Sequence, residues 1–202
     1  QNLSGKAKCK EALQEYFGLE KNPDVPLVGM VSRLADQKGI HELFEPAYGC
    51  MPHLCIETGA QFVVVGSGAP WCQDELRSLA SRFPNFRCYV GYKEEISHLV
   101  EAGSDYFLMP SRYEPCGLNQ IYSMIYGTLP IVHSTGGLND TVENYNPQDG
   151  SGTGFKFYDY SPDIIRSTVK WALSAFPNKE HIRKMQLSGM KKDFSWKKSA
   201  EV

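Results

Sequence analysis

Short apolar runs punctuate the chain at residues 27–31, 62–65, 86–90, 106–109 and 129–132, and their branched and aromatic content reads as buried strands. Helix-length segments separate them. Residues 40–48, 73–82, 94–102 and 118–126 carry apolar side chains at three-and-four spacing, and in the last of these Leu118, Ile121, Tyr122 and Ile125 share a face. Alternation of this kind predicts one parallel sheet wrapped by helices on both faces. Residues 155–158 are expected to add an edge strand, 163–176 and 181–190 to form closing helices, and 144–154 to be a polar loop.

In such sheets ligands lie beyond the carboxyl ends of the strands, where glycine-containing loops lead into helices. The loops in question are SRLADQKG (32–39), GSGAP (66–70), GYKEE (91–95), PSRYEPCG (110–117) and HSTGGLND (133–140). The first offers Arg33 and Lys38 on either side of Asp36, with Gly39 at a helix entrance, so that two cations and a helix start can meet one anion such as a diphosphate. The blander reading pairs Arg33 with Asp36 on the surface and leaves Lys38 solvated. The fourth loop sets Glu114 beside a helix whose free N–H groups begin near Gly117. There Glu114 is either a carboxylate next to a phosphate cradle or a first-turn acid that merely stabilises the helix. Thr135, Gly136 and Gly137 allow either a close backbone approach to a ligand or a tight turn. Tyr92, just past a strand end, is placed to stack on a base, although a half-buried core tyrosine is the commoner fate.

Composition narrows the partners. The 202 residues suffice for one compact unit, and a net charge of −2 gives neither a basic footprint for nucleic acid nor a polybasic run for a membrane surface. The six cysteines (Cys9, Cys50, Cys55, Cys72, Cys88, Cys116) form no C-x-x-C pair or zinc spacing and read as reduced, mostly buried thiols of a cytosolic-type protein. No signal-like or membrane-spanning apolar run occurs. His41, His53, His98 and His181 lack metal or triad spacing, whereas His133 abuts the TGGL loop. No D-x-D pair is present to hold a metal on a diphosphate, so fixed positive charge from Arg33, Lys38 and the helix after Gly117 must stabilise a departing anion.

Taken in order, SGKAKCKEALQEYFGL (4–19), VSRLADQKG (31–39), VVVGSG (63–68), VGYKEE (90–95), the long run MPSRYEPCGLNQIYSMIYGTLPIVHSTGGLNDTV (109–142) and FSWKKSA (194–200) resemble glycosyltransferase family 5, the ADP-glucose-dependent glycogen and starch synthases. The resemblance covers nearly the whole chain. It implies a Rossmann-like doubly wound α/β sheet forming one lobe of a GT-B glycosyltransferase, with residues 1–202 as the C-terminal, donor-binding lobe and the N-terminal acceptor lobe absent from this chain. The implied reaction is retaining transfer of glucose from ADP-glucose to the non-reducing end of an α-1,4-glucan, with release of ADP and no metal or other cofactor.

Carried over by motif, Arg33 and Lys38 hold the diphosphate, the backbone at Gly117, Leu118 and Asn119 completes the cradle, Glu114 faces the donor glucose, Tyr92 lies against the adenine, and Cys116, Thr135 and Gly136 are further substrate-binding residues. Three departures are visible: Tyr122 stands where the broader family carries a second glutamate, Asn119 where threonine is frequent, and His133 where a basic residue is often found, so charge near the phosphates falls away above its pKa. Without the other lobe the fragment is expected to be inactive, and a tail ending soon after Trp196 predicts exposed apolar surface and self-association. The implied partners are ADP-glucose or ADP and, through the missing lobe, the glucan, in a cytoplasmic or plastid setting. Two alternatives stay open: a synthase preferring UDP-glucose, and a non-catalytic glucan-associated scaffold.

Overall fold

A computed structural model describes residues 3–194; the FSWKKSA motif beyond Phe194, and with it the expectation attached to Trp196, lies outside the described residues. Strands β1 (Leu27–Val31), β2 (Gln61–Gly66), β3 (Phe86–Val90), β4 (Tyr106–Met109), β5 (Leu129–His133) and β6 (Phe155–Phe157) form a single sheet in the order β3-β2-β1-β4-β5-β6. Every pairing is parallel, with Val28 beside Phe62 on one side and beside Tyr106 on the other. The five strand cores and the edge strand fall where the apolar runs predict them, and the fold is the expected α/β, Rossmann-like one.

Alternation within each strand divides the core. Val28, Met30, Phe62, Val64, Tyr106, Leu108 and Ile131 face one helical layer, while Leu27, Val63, Val65, Phe107 and Val132 face the other. The first layer holds α2 (Ile40–Phe44), α3 (Met51–Glu57), α4 (Pro70–Arg82) and α8 (Pro162–Ala175). The second holds α1 (Lys6–Tyr16) and α5 (Glu94–Gly103), which pack together through Leu13 and Val100. The remaining helices α6 (Asn119–Ile125), α7 (Gly136–Thr141) and α9 (Lys179–Lys191) cluster at the β5 side.

Two sequence expectations are corrected. The helix expected over 40–48 stops at Phe44, because Glu45 precedes Pro46 and is forced to ψ 122; the chain turns and restarts as α3. In α6 the shared apolar face points outward: Leu118 and Ile125 are 57% and 52% exposed, whereas Gln120, Ser123 and Met124 are buried. Periodicity identifies which residues share a face, and here the inward face joins Met124 to the polar Gln120 and Ser123. Among the described residues no helix is long and apolar enough to cross a membrane.

Candidate functional site

Because β1 is flanked by β2 and β4, the loops leaving β1 and β4 diverge to opposite sides of the sheet and open a crevice between them. The β1 loop is fixed by Leu34, which is 1% exposed and exchanges backbone hydrogen bonds with the β2 loop: its N–H donates to Ser67 O at 2.8 Å and its carbonyl accepts from Ala69 N–H at 2.8 Å. A Cβ at Gly66 or Gly68 would overlap the carbonyl of Ser32 or Leu34, so glycine lets these two loops touch. With Leu34 anchored inward, its neighbour Arg33 is exposed on the crevice. The expected surface pair between Arg33 and Asp36 is not found; Asp36 meets His41 Nε2 at 3.0 Å instead.

Lys38 is not solvated. Its ammonium pairs with Glu114 across the crevice, and the two side chains are only 19% and 11% exposed. Ser111 Oγ donates to the same carboxylate oxygen at 3.1 Å. Glu114 lies five residues before α6 begins and is buried, so its role is not that of a first-turn acid. A partly enclosed pair of this kind interacts more strongly than an exposed one, because water screens it less.

Around this pair lies a cavity of about 200 Å³, lined by Arg33, Lys38, Ser111, Glu114, Gly117, Leu118 and Asn119. A second cavity of about 250 Å³ adjoins it, sharing Val31, Ser32, Arg33 and Asn119 and continuing past Gly66 and Gly91 to Tyr92. Tyr92 is 73% exposed, a ring offered to the cavity rather than spent in the core. Asn119 Nδ2 donates to Val31 O at 3.1 Å and ties the start of α6 to the end of β1. The structure therefore gathers Arg33, Lys38, Glu114, Gly117, Leu118 and Asn119 around one cavity and Tyr92 at its neighbour.

Cys116, Thr135 and Gly136 line neither cavity. Cys116 and Gly136 are exposed and Thr135 is half-buried. Gly137 N–H donates to Glu114 O at 3.0 Å, and a Cβ at Gly136 or Gly137 would overlap the carbonyl of Glu114 or Cys116. The two glycines thus serve contact between loops. His133 is likewise a support: its Nδ1 donates to Ser111 O at 2.8 Å while its ring stacks on Phe157 at 5.4 Å.

Sequence reasoning did not single out a second layer that holds this geometry. The buried carboxylate of Glu42 receives the Arg112 guanidinium, and Tyr160 donates to Pro110 O at 2.7 Å and to Glu42 at 3.3 Å. Burial and the adjacent Glu42 carboxylate push the Tyr160 phenol well up from its ordinary pKa, so it remains a donor. Arg112 N–H also donates to Gln37 O at 2.8 Å, and Gln37 Nε2 to Tyr113 O at 3.0 Å. These contacts lock the β1 loop to the β4 loop and hold Lys38 opposite Glu114. Only Ser111, three residues ahead of Glu114, carried a local signal; Glu42 and Tyr160 meet across 118 residues. Among the described residues no cluster of His, Cys, Asp or Glu has metal-binding geometry.

Residues 14–186 match the family described as Glycosyl transferases group 1. A glycogen synthase of Treponema denticola is 60% identical over 200 residues, covering 98% of this chain and 41% of the relative, and one from an Anaeromyxobacter species is 47% identical over 202 residues, again 41% of the relative. Among solved structures, the catalytic domain of starch synthase IV from Arabidopsis thaliana, bound to ADP and acarbose, superposes with a TM-score of 0.85 at 33% identity, covering 99% of this chain and 41% of that one. Sucrose-phosphate synthase from Thermosynechococcus elongatus shares the fold at TM-score 0.67 and 20% identity, over 97% of this chain and 48% of that one. The chain thus spans about two fifths of the length of the curated relatives it matches. With most of its sequence inside that match, and its loops converging on the crevice where such a sheet binds ligands, the chain belongs to the group 1 glycosyl transferases.

Proposed function

We propose that this chain is the donor-binding lobe of a retaining glucosyltransferase that moves glucose from ADP-glucose to the non-reducing end of an α-1,4-glucan. The observation that carries the reading is the pair of adjoining cavities meeting at Arg33: one holds the Lys38 and Glu114 charges, the other ends on Tyr92. A nucleoside diphosphate sugar has the matching layout, with its base at Tyr92, its diphosphate at Arg33 and Lys38, and its sugar at Glu114. Identity to glycogen synthases and the ADP bound in the starch synthase relative support glucose and adenine over other donors.

In the transfer the bond from sugar C1 to the diphosphate oxygen breaks, a bond from C1 to the acceptor 4-hydroxyl oxygen forms, and the hydroxyl proton passes to the departing diphosphate, which leaves as the anion ADP. Arg33 and Lys38 offset that developing charge, a preorganised term that reaches about 3–4 kcal/mol for one well-placed donor. Glu114, held by Ser111 Oγ, is free to accept from sugar hydroxyls once Lys38 turns toward phosphate. The acceptor glucan binds through the part of the protein not included in this chain. Fixed cations handle the diphosphate without a metal.

Calorimetric titration with ADP, ADP-glucose and UDP, repeated on Arg33→Ala with Lys38→Ala, tests the reading. Preference for the adenine ligands, lost in the double variant, is expected. Tighter binding of UDP would move the donor to UDP-glucose. Full-length protein that binds ADP-glucose yet never extends glycogen would make this a glucan-associated scaffold.

A further inference from the structure

Behind Gly117 lies a side chain that does not itself line either cavity. Gln120 has no exposed surface, and its amide nitrogen lies 3.1 Å from Cys116 O, 3.1 Å from Gly117 O and 3.2 Å from Thr141 Oγ1. Thr141 Oγ1 in turn donates to Gly137 O at 2.5 Å. One amide therefore joins the β4 loop to α7, the helix that opens with the paired glycines Gly136 and Gly137.

The direction of these bonds matters because a trans peptide is planar, with its N–H opposite its C=O. Drawing the Cys116 and Gly117 carbonyls onto Gln120 turns the N–H groups of Gly117 and Leu118 away from it, and both residues line the cavity. Gly117 itself has φ +71, and a Cβ there would sit 2.6 Å from Gln120 Oε1 and 3.0 Å from Nε2, so the loop closes on the amide so tightly that only glycine fits.

Gln120 Oε1, by contrast, is buried without a hydrogen-bond partner among the described residues. Reversing the amide would set that oxygen against three acceptors, so the orientation is fixed by its surroundings. A side chain kept for packing alone would be leucine or methionine, which leaves no buried acceptor unpaired. What glutamine adds here is donation to the loop.

We propose that Gln120 is a positioning residue for the donor's diphosphate, acting by aiming the Gly117 and Leu118 N–H groups into the crevice. The inference rests on the reading that a diphosphate lies there. It makes Gln120 a determinant of donor affinity at a position that contacts no donor atom.

The test uses full-length protein with ADP as the probe, comparing wild type, Gln120→Met and Gln120→Glu. Gln120→Met is expected to weaken ADP binding and raise the donor KM by about 10- to 50-fold, the scale of one or two hydrogen bonds to a charged group, while the glucan KM stays within about twofold. The rise in melting temperature that ADP gives the wild type should shrink in step. In Gln120→Glu a carboxylate faces two carbonyls, so ADP affinity should fall further and recover on acidification, when the protonated acid donates one bond again. Wild type should show no such recovery.

A Gln120→Met protein that melts lower yet keeps wild-type ADP affinity and donor KM would reduce Gln120 to a packing residue. Equal rises in donor and glucan KM would do the same. If Gln120→Met does not fold, Gln120→Glu with the wild-type pH profile for ADP overturns the proposal. Wild-type protein that binds neither ADP nor UDP overturns the donor reading itself, and the two failures are thereby distinct.

Discussion

Two lysine–carboxylate pairs stand at opposite ends of the sheet. At the end where β4 begins, Lys10 meets Asp105 at 2.7 Å and also donates to Pro23 O at 3.0 Å and Val25 O at 2.7 Å, while Asp105 accepts from Leu27 N–H at 2.8 Å. Each of its three hydrogens has an acceptor. At the other end Lys38 meets Glu114 beside a cavity of about 200 Å³, and Ser111 is the further side chain that holds the carboxylate. Both pairs are largely withdrawn from water, so burial does not separate them. Saturation does: both pairs border a cavity, but the Lys10 ammonium has its hydrogens spent on Asp105, Pro23 O and Val25 O and fastens the chain, whereas Lys38 bonds to Glu114 alone and has capacity left for a ligand.

Asp105→Ala should break the first pair most severely, since it strands the Lys10 charge, which is 7% exposed, and a loss of about 3–5 kcal/mol is expected in urea unfolding. ADP affinity of whatever folded protein remains should be unchanged. Lys38→Ala should do the reverse. On the proposed function, it is expected to lower donor-dependent transfer by the full-length protein about 10²–10³-fold, with a smaller change in unfolding free energy than Asp105→Ala. If Lys38→Ala were the more destabilising of the two, the comparison would fail.

A third test sharpens the structural end. The Lys6 ammonium, enclosed between Ala102 O and Thr128 Oγ1, is pushed down to about 7, chiefly by loss of hydration, with nearby Lys10 adding to the shift and Asp105 opposing it. Above that value the folded chain holds Lys6 neutral while the unfolded chain keeps it protonated. The unfolded state then binds more protons, so stability rises with pH by up to about 1.4 kcal/mol per unit. Cys50, Cys55 and Cys72, their thiols pushed up to about 12 by burial, reverse the slope once the unfolded thiols ionise. The rise should therefore appear between about pH 7 and 8.5 and vanish in Lys6→Met.

Tyr160→Phe should have the smallest effect. Removing its bonds to Pro110 and Glu42 is expected to cost about 1 kcal/mol of stability and a few-fold in transfer, measured by thermal unfolding and initial rates. A change confined to stability would mean that Lys38 and Glu114 keep their alignment without it.

The strands were legible because a parallel sheet covered on both faces needs nearly unbroken apolar runs, and β1, β2, β4 and β5 supply them. Helix α1 was not, since Lys10 and Gln14 are its buried polar residues and blur the apolar stripe that Leu13 belongs to. In α6 the stripe was read and its direction was not. Among the site residues, those close to a strand end and glycine-flanked were found. Glu42, Arg112, Tyr160 and Gln120 were not, because a supporting contact across the fold leaves no spacing in the chain.

The sequence by itself determined the number and kind of core strands and the loops that would carry chemistry, because hydrophobic period and glycine position act locally. It also offered Arg33, Lys38, Glu114 and Tyr92 as residue types suited to a nucleotide sugar. Only the tertiary structure decided that Lys38 faces Glu114 rather than solvent, that Arg33 is free of Asp36, and that Gly136 and Gly137 let the β5 loop close on the β4 loop. Charge pairing and loop contact depend on distances between segments far apart in the chain, and those distances are set when the sheet order brings β1 and β4 side by side.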